Sequence, residues 1–324
     1  MKTNILKQIT VGIVLAVVSQ LATATEAWPK RAVQIVVPLD AGTLHDSIAR
    51  HIATRLSAKW NQPVAVINQP GGSGTIGAHT VASSNPSGYT VGLINASFTG
   101  ALATRNNLPF SREDLTGVIK FGAQEFMVFA NKNAPFDTFE QMVAYAKDNP
   151  GKLDYASPGV GSYINITMEQ MALEKNLKIV HVPYRNLLQS APDVVNGRIQ
   201  TAISNPSPAF NALVAKGDLK VIGALGKDPI YLGKPISSLA NILPNVARKG
   251  YYGIIAPAGI PQDVAKKIYK DVNEIISNKE TQEILSGLGM VHESPLKFGE
   301  FDNWIDYDIT RIRKVVAKTN LKIE

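Results

Sequence analysis

At 324 residues the chain is longer than one compact domain needs, and 45% apolar with 18% charged residues excludes a disordered or collagen-like polymer. Its formal charge is +7 and it has no cysteine, so disulfides, thiolate metal sites and a cysteine nucleophile are all excluded. The basic residues are scattered, with no Lys/Arg block among aromatics, which argues against nucleic acid as a partner.

Lys2 and Lys7 precede an apolar, charge-free run from Ile9 to Ala22, followed by Ala22-Thr23-Ala24 and Thr25-Glu26-Ala27. This pattern predicts a secretory signal over residues 1–27, cleaved after Ala24 or Ala27, and a periplasmic mature chain. Its removal takes two lysines and one glutamate, so +7 becomes about +6. Ala32–Pro38 then reads as a buried strand, and a turn over Asp40–Asp46 leads into a helix reaching about Lys59. Leu44, Ile48, Ile52 and Leu56 share one face of that helix. Val64–Ile67 is a second strand, and strand–helix–strand in so short a span implies a parallel sheet.

The alternation continues through predicted strands at Tyr89–Asn95, Phe126–Asn131, Leu153–Ser157, Ile179–Pro183, Ile199–Ser204, Lys220–Ala224 and Tyr251–Ala256. Thr138 and Gln141 form a capping box for a helix after the second of these. A long amphipathic helix is predicted over Pro261–Asn278.

Two glycine-rich loops stand out. Asn68–Ala78 reads NQPGGSGTIGA, and Ser157–Ser162 reads SPGVGS. Glycine lets backbone N–H groups approach a ligand, and a following helix adds unpaired N–H groups and its positive dipole end. The loop Asn68–Ala78 is therefore a candidate anion cradle, with a plain strand–helix turn as the alternative. Gly72, Gly74 and Gly77 also fit G-x-G-x-x-G, but Ser97 and Phe98 stand where a dinucleotide site needs an acid about 20 residues on. The five histidines do not cluster at metal spacing, and no cofactor is expected. Gly71–Thr75 misses the last glycine of a nucleophile elbow, so no catalytic residue is assigned.

Read together, these motifs resemble the Bug-type solute receptors of tripartite tricarboxylate transporters. The likeness rests on Trp28-Pro29, Val37-Pro38, Asp46-Ser47-Ile48-Ala49-Arg50, the loop Asn68–Ala78, Gly88-Tyr89-Thr90, Ser157–Ser162, His181-Val182-Pro183-Tyr184 and Ala256–Pro261, in that order. It implies an α/β, two-lobed periplasmic binding fold of type II-like form. Each lobe would be a mostly parallel sheet flanked by helices, and two hinge strands would join them. Lobe I would hold 28–125 plus 252–324, and lobe II 126–251. The implied function is to bind a small organic acid between the lobes and hand it to a two-subunit membrane permease, as a monomer. A receptor feeding a membrane signalling kinase, or an exported hydrolase, is the alternative.

The resemblance puts ligand contacts at Asp40, Gly42, Thr43 and Asp46, at Gly72, Ser73 and Gly74, and at Ser157, Gly159, Gly161 and Ser162. Asn165, Tyr184 and Asn205 would approach from the second lobe. Helix capping is an equal reading for Asp46, Ser157 and Ser162, and core packing for Tyr184. The first loop departs from the family pattern, carrying Asp40, Leu44 and His45 where a glycine and smaller residues are usual. Asp40 in a cleft would repel a carboxylate by about 4 kcal/mol at 4 Å and an effective dielectric near 20. The sequence therefore leaves the ligand's charge open.

Overall fold

The structure, a computed structural model, describes residues 28–184, 186–244 and 249–319. The predicted leader over residues 1–27 lies outside them. The chain opens with β1 (Val33–Val37), α1 (Leu44–Trp60), β2 (Val64–Asn68), α2 (Thr75–Ala82), β3 (Thr90–Asn95), α3 (Ala96–Thr104) and β4 (Leu115–Gln124). It continues with β5 (Met127–Asn131), α4 (Phe139–Asp148), β6 (Leu153–Ser157), α5 (Tyr163–Lys175), β7 (Ile179–Pro183), α6 (Ala191–Val195), β8 (Thr201–Ser204), α7 (Pro208–Ala215) and β9 (Leu219–Ala224). A hairpin of β10 (Ile230–Tyr231) and β11 (Lys234–Pro235) and the short α8 (Leu239–Ile242) follow. Last come β12 (Gly250–Pro257), α9 (Gln262–Ser277), α10 (Lys279–Gly287), β13 (Met290–Val291) and α11 (Glu300–Val316).

These strands form two sheets of one design. In the first, β2, β1 and β3 are parallel, and β12 and β4 continue the sheet antiparallel to their neighbours, with β13 at the edge. In the second, β7, β6 and β8 are parallel, and β5 lies between β8 and β9, antiparallel to both. The antiparallel neighbour of each parallel trio, β12 or β5, is the strand that arrives from the other sheet. Only Glu125 and Phe126 separate β4 from β5, so the chain crosses there with almost no slack.

Period-two alternation decides which side of the first sheet each residue serves. Val33, Ile35 and Val37 pack under Ile48, Ile52 and Leu56 of α1 and Ile268 and Val272 of α9. Val36 faces the other way, into a core shared by α2, α3, α5 and α11 that runs on to the second sheet. Trp60 reaches across to α9, where its Nε1 donates to Asp271 Oδ2 at 2.7 Å. Among the elements that escaped the sequence reading, β4 and α3 are the longest. The ten-residue β4 is interrupted by Gly117, Lys120 and Gly122, which hide its apolar pattern; it pairs along the whole of β12. The apolar α3 has no polar stripe because eight of its nine residues are buried.

His45, at the end of the first loop, points inward. It is 7% exposed, beside the Tyr252 ring, and its Nε2 lies 2.8 Å from Asn95 Nδ2. An amide nitrogen only donates, so Nε2 accepts and the imidazole is neutral with its proton on Nδ1. Burial lowers its pKa from 6.5 to about 3. Between those values the unfolded chain binds a proton that the fold refuses, so stability falls as pH drops from about 6.5 toward 3. Replacing His45 by Gln, which keeps an acceptor, is expected to flatten this dependence by one proton, about 1.4 kcal/mol per pH unit. Urea unfolding at several pH values between 4 and 6 measures it; an unchanged slope would show that His45 titrates normally.

Candidate functional site

In open parallel sheets, ligands collect beyond the carboxyl ends of the strands. A cavity of about 170 Å3 sits at that place, lined from β1 by Pro38, Leu39 and Asp40, and from β2 by Pro70 and Gly71–Gly74. Asn95 and Ser97 complete the first-sheet side, and Pro158 and Ser162 after β6 close it from the second. It is smaller than the ~300–1,000 Å3 of sites for drug-sized ligands, and so fits a compact metabolite.

Backbone dominates its wall. Gly71, Gly72, Ser73 and Gly74 all have positive φ, Ser73 at 55° and Gly74 at 96°. No side chain caps the start of α2, whose N-cap is Gly74; Gly74 N and Thr75 N donate back to Gly71 O and Gly72 O within the loop. Gly77, the last glycine of the G-x-G-x-x-G spacing, does another job: a Cβ there would stand 2.9 Å from Pro38 Cβ. It lets α2 pack against the end of β1, a strand–helix contact with no part in nucleotide binding.

Two more helices begin at the same cavity. Asn95 caps α3, its Oδ1 accepting from Ser97 N at 3.0 Å, and its amide is held from behind by His45. Ser162 caps α5, its Oγ accepting from Asn165 N at 3.3 Å. The positive ends of α2, α3 and α5 therefore converge on one small volume. Behind the glycine loop the Arg105 guanidinium lies 3.4 Å from Ser73 Oγ and 3.5 Å from Thr75 Oγ1.

The side that closes the cavity is brought in by glycine against glycine. A Cβ on Gly100 of α3 would lie 2.4 Å from the Gly161 carbonyl oxygen, and one on Gly161 would lie 2.5 Å from Thr104 Oγ1. Gly161 N in turn donates to Asn165 Oδ1 at 3.1 Å, which fixes the loop at the distance α3 demands.

Asp40, Gly72, Ser73, Gly74 and Ser162 thus line the cavity, while the other expected contacts are engaged elsewhere. Asp46 is 4% exposed and accepts from Gly42 N, Arg50 Nε and Asn68 Nδ2. Burial pushes its carboxyl up, but those hydrogen bonds outweigh burial and leave it below the ordinary range. Thr43 caps α1. Ser157 is fully buried, with Oγ 2.6 Å from His181 Nε2 and 3.2 Å from Gly159 N. His181, stacked on Tyr155, is held neutral by burial, its pKa lowered to about 4.

Asn165 donates from Nδ2 to Tyr155 Oη at 2.8 Å, inside the protein. Tyr184 donates from Oη to Asp193 Oδ2 at 2.6 Å and packs on the outer core of the second sheet. Asn205 ties the crossing, donating to Glu125 O at 2.7 Å and accepting from Gln124 Nε2 at 2.6 Å. Phe98, next to Ser97, is buried in the core. Asn95 and Ser97 were missed; their position at the end of a predicted parallel strand was the available signal.

Comparison with known proteins agrees with this architecture. One structure described as a periplasmic transporter superposes with a TM-score of 0.80 at 27% identity, covering 92% of this chain and 100% of that one. An R. palustris protein solved with adipate gives a TM-score of 0.79 at 23% identity over 90% of this chain and 98% of its own. The periplasmic binding protein BugD gives 0.77 at 19% identity, over 91% and 99%. MatC from Rhodopseudomonas palustris, with bound malate, gives 0.74 at 21%, over 89% and 100%. In sequence, the chain is 30% identical to a protein of the tcbD–tcbE intergenic region of Pseudomonas sp. strain P51, over 88% of this chain and 86% of that one. It is 26% identical to BugT of Bordetella pertussis over 97% of both chains. The family profile described as tripartite tricarboxylate transporter family receptor matches residues 48–321, and the chain belongs to that family.

Proposed function

We propose that this protein is a periplasmic receptor that closes around a small organic acid, with a dicarboxylate as the favoured ligand, and delivers it to a tripartite tricarboxylate-type membrane permease. The observation that carries the reading is the meeting of three helix N-termini and an uncapped glycine loop on one cavity of metabolite size. Two fold neighbours hold adipate and malate, both dicarboxylic acids. Asp40 does not oppose an anion strongly: it is solvent-exposed, where water and salt screen its charge. We assign the ligand to the amides of Gly72 and Ser73, to Asn95 and Ser97, and to Ser162. Lobe I is taken as 28–125 plus 252–324, lobe II as 126–251, and opening as a rotation about the crossing at Glu125 and Phe126.

A thermal-shift series with adipate, malate and an aromatic monocarboxylate tests the ligand class. A ligand at about 100 times its Kd adds about 2.7 kcal/mol, or about 4 °C for a chain of this size. No shift with any acid, or turnover of a stabilising one, would overturn the reading.

The glycine loop and the closing contact have separate tests. Gly74→Val forces a β-branched residue to a φ of 96°, a strain of about 1–3 kcal/mol. Native-like circular dichroism with loss of the thermal shift is expected; retained binding would place the ligand elsewhere. Gly100→Ala puts a methyl where the Gly161 carbonyl now approaches. Overpacking of about 1–3 kcal/mol predicts a roughly 10–100-fold rise in Kd, read by calorimetry. An unchanged Kd would mean that the ligand does not need this contact.

A further inference from the structure

A second cavity, of about 340 Å3, lies across the first turn of α3 from the one described above. Asn95 and Ser97 line the first, while Ala96 between them lines the second. Its cations come from both sheets: Lys120 from β4 and Arg311 from α11 on one side, Lys227 just after β9 on the other, and Lys249 at the return crossing.

Two of those charges are already answered. Arg311 holds Asp308 through Nε at 2.9 Å and Nη2 at 2.8 Å, and the second Asp308 oxygen accepts from Thr99 Oγ1 at 2.7 Å. Lys120 Nζ stands 3.6 Å from Glu293 Oε2 and 5.3 Å from the centre of the Trp304 ring. Lys227 and Lys249 form no ion pair with a carboxylate among the described residues. Asp228, next in sequence to Lys227, lines a different cavity. Lys249 also acts on Glu125, a buried carboxyl raised by burial that lines the neighbouring cavity, which Lys249 borders too, and not this one. Around this cavity stand four cations and two carboxylates, an excess of two positive charges beside an aromatic wall.

We propose that this cavity is a second, unassigned binding site for a small dianion, a dicarboxylate or a divalent inorganic oxyanion, held by Lys227 and Lys249 with Trp304 as its wall. Because its cations belong to different sheets, an occupant bridges them. Ala96 moves with Asn95 and Ser97, so occupancy here is linked to the first cavity, and by linkage the effect is reciprocal. The site stands without the receptor reading; only its effect on the first-cavity ligand rests on that reading.

The test is calorimetry at constant ionic strength on the mature chain, with sulfate and succinate as probes. Gly74→Val, which disables the first cavity, is expected to keep one site for a probe. Lys227→Gln with Lys249→Gln is expected to weaken that site about tenfold, since a solvent-exposed pair contributes up to about a factor of five, at Lys227 as at the half-buried Lys249. Retention of sulfate alone or succinate alone supports the site and names its source. Probe binding untouched by the paired glutamines, or lost entirely in Gly74→Val, would overturn it. Should the paired variant not fold, acetylation of the parent protein read by mass spectrometry decides: probe protects Lys227 and Lys249, or the proposal fails.

Discussion

The site depends on one steric constraint, the approach of the Gly161 carbonyl to the backbone of α3 at Gly100. No side chain of any size fits between them. The contact is therefore made by two pieces of main chain whose positions are fixed by other bonds. On one side Thr104 donates back to Gly100 O at 2.8 Å, keeping its own hydroxyl at the interface. On the other, Asn165 holds Gly161 N, and Tyr155, bonded to Asn165 and Glu169, holds Asn165. A chain of buried polar groups, each with its partner, sets the depth of the cavity.

Within that frame the electrostatics come from backbone rather than from lysine or arginine. Every residue lining the cavity is neutral except Asp40, and Asp40 is at the exposed rim. The other acid of the first loop, Asp46, is turned away and neutralised by Arg50 at 2.9 Å, with Asn68 as a further donor. Helix ends and loop amides offer directed N–H donors at fixed positions, which favours the shape and charge of a carboxylate at once. Arg105 backs the glycine loop from outside the cavity, so its charge adds to the field without occupying ligand space.

The crossing between the sheets is built with the same economy. Glu125 is buried, its Oε1 accepting from Gly226 N at 2.9 Å and Phe126 N at 3.1 Å, while its carbonyl accepts from Asn205. Residues of the first crossing, of the segment after β9 and of the loop after β8 are thereby bound to one point. The opening rotation proposed above would pivot on this point and separate Gly100 from Gly161.

Sequence alone determined the local backbone. The apolar run Val33–Val37, the cap at Thr138, the glycine loop after β2 and the loop after β6 were all legible, because alternation, capping and glycine placement act between near neighbours. Of the expected contacts, Asp40, Gly72, Ser73, Gly74 and Ser162 line the candidate cavity. What only tertiary structure decided was the use of each polar side chain. Ser157 and Ser162 are the same residue type five positions apart, yet His181 takes the first and the cavity takes the second. The strand β4 was invisible for a related reason: Gly117 and Gly122 break its pattern, and their cost is met by Phe301 and Met290 packing into the space they leave. Such roles are set by which distant group arrives opposite, and periodicity along the chain carries no record of that.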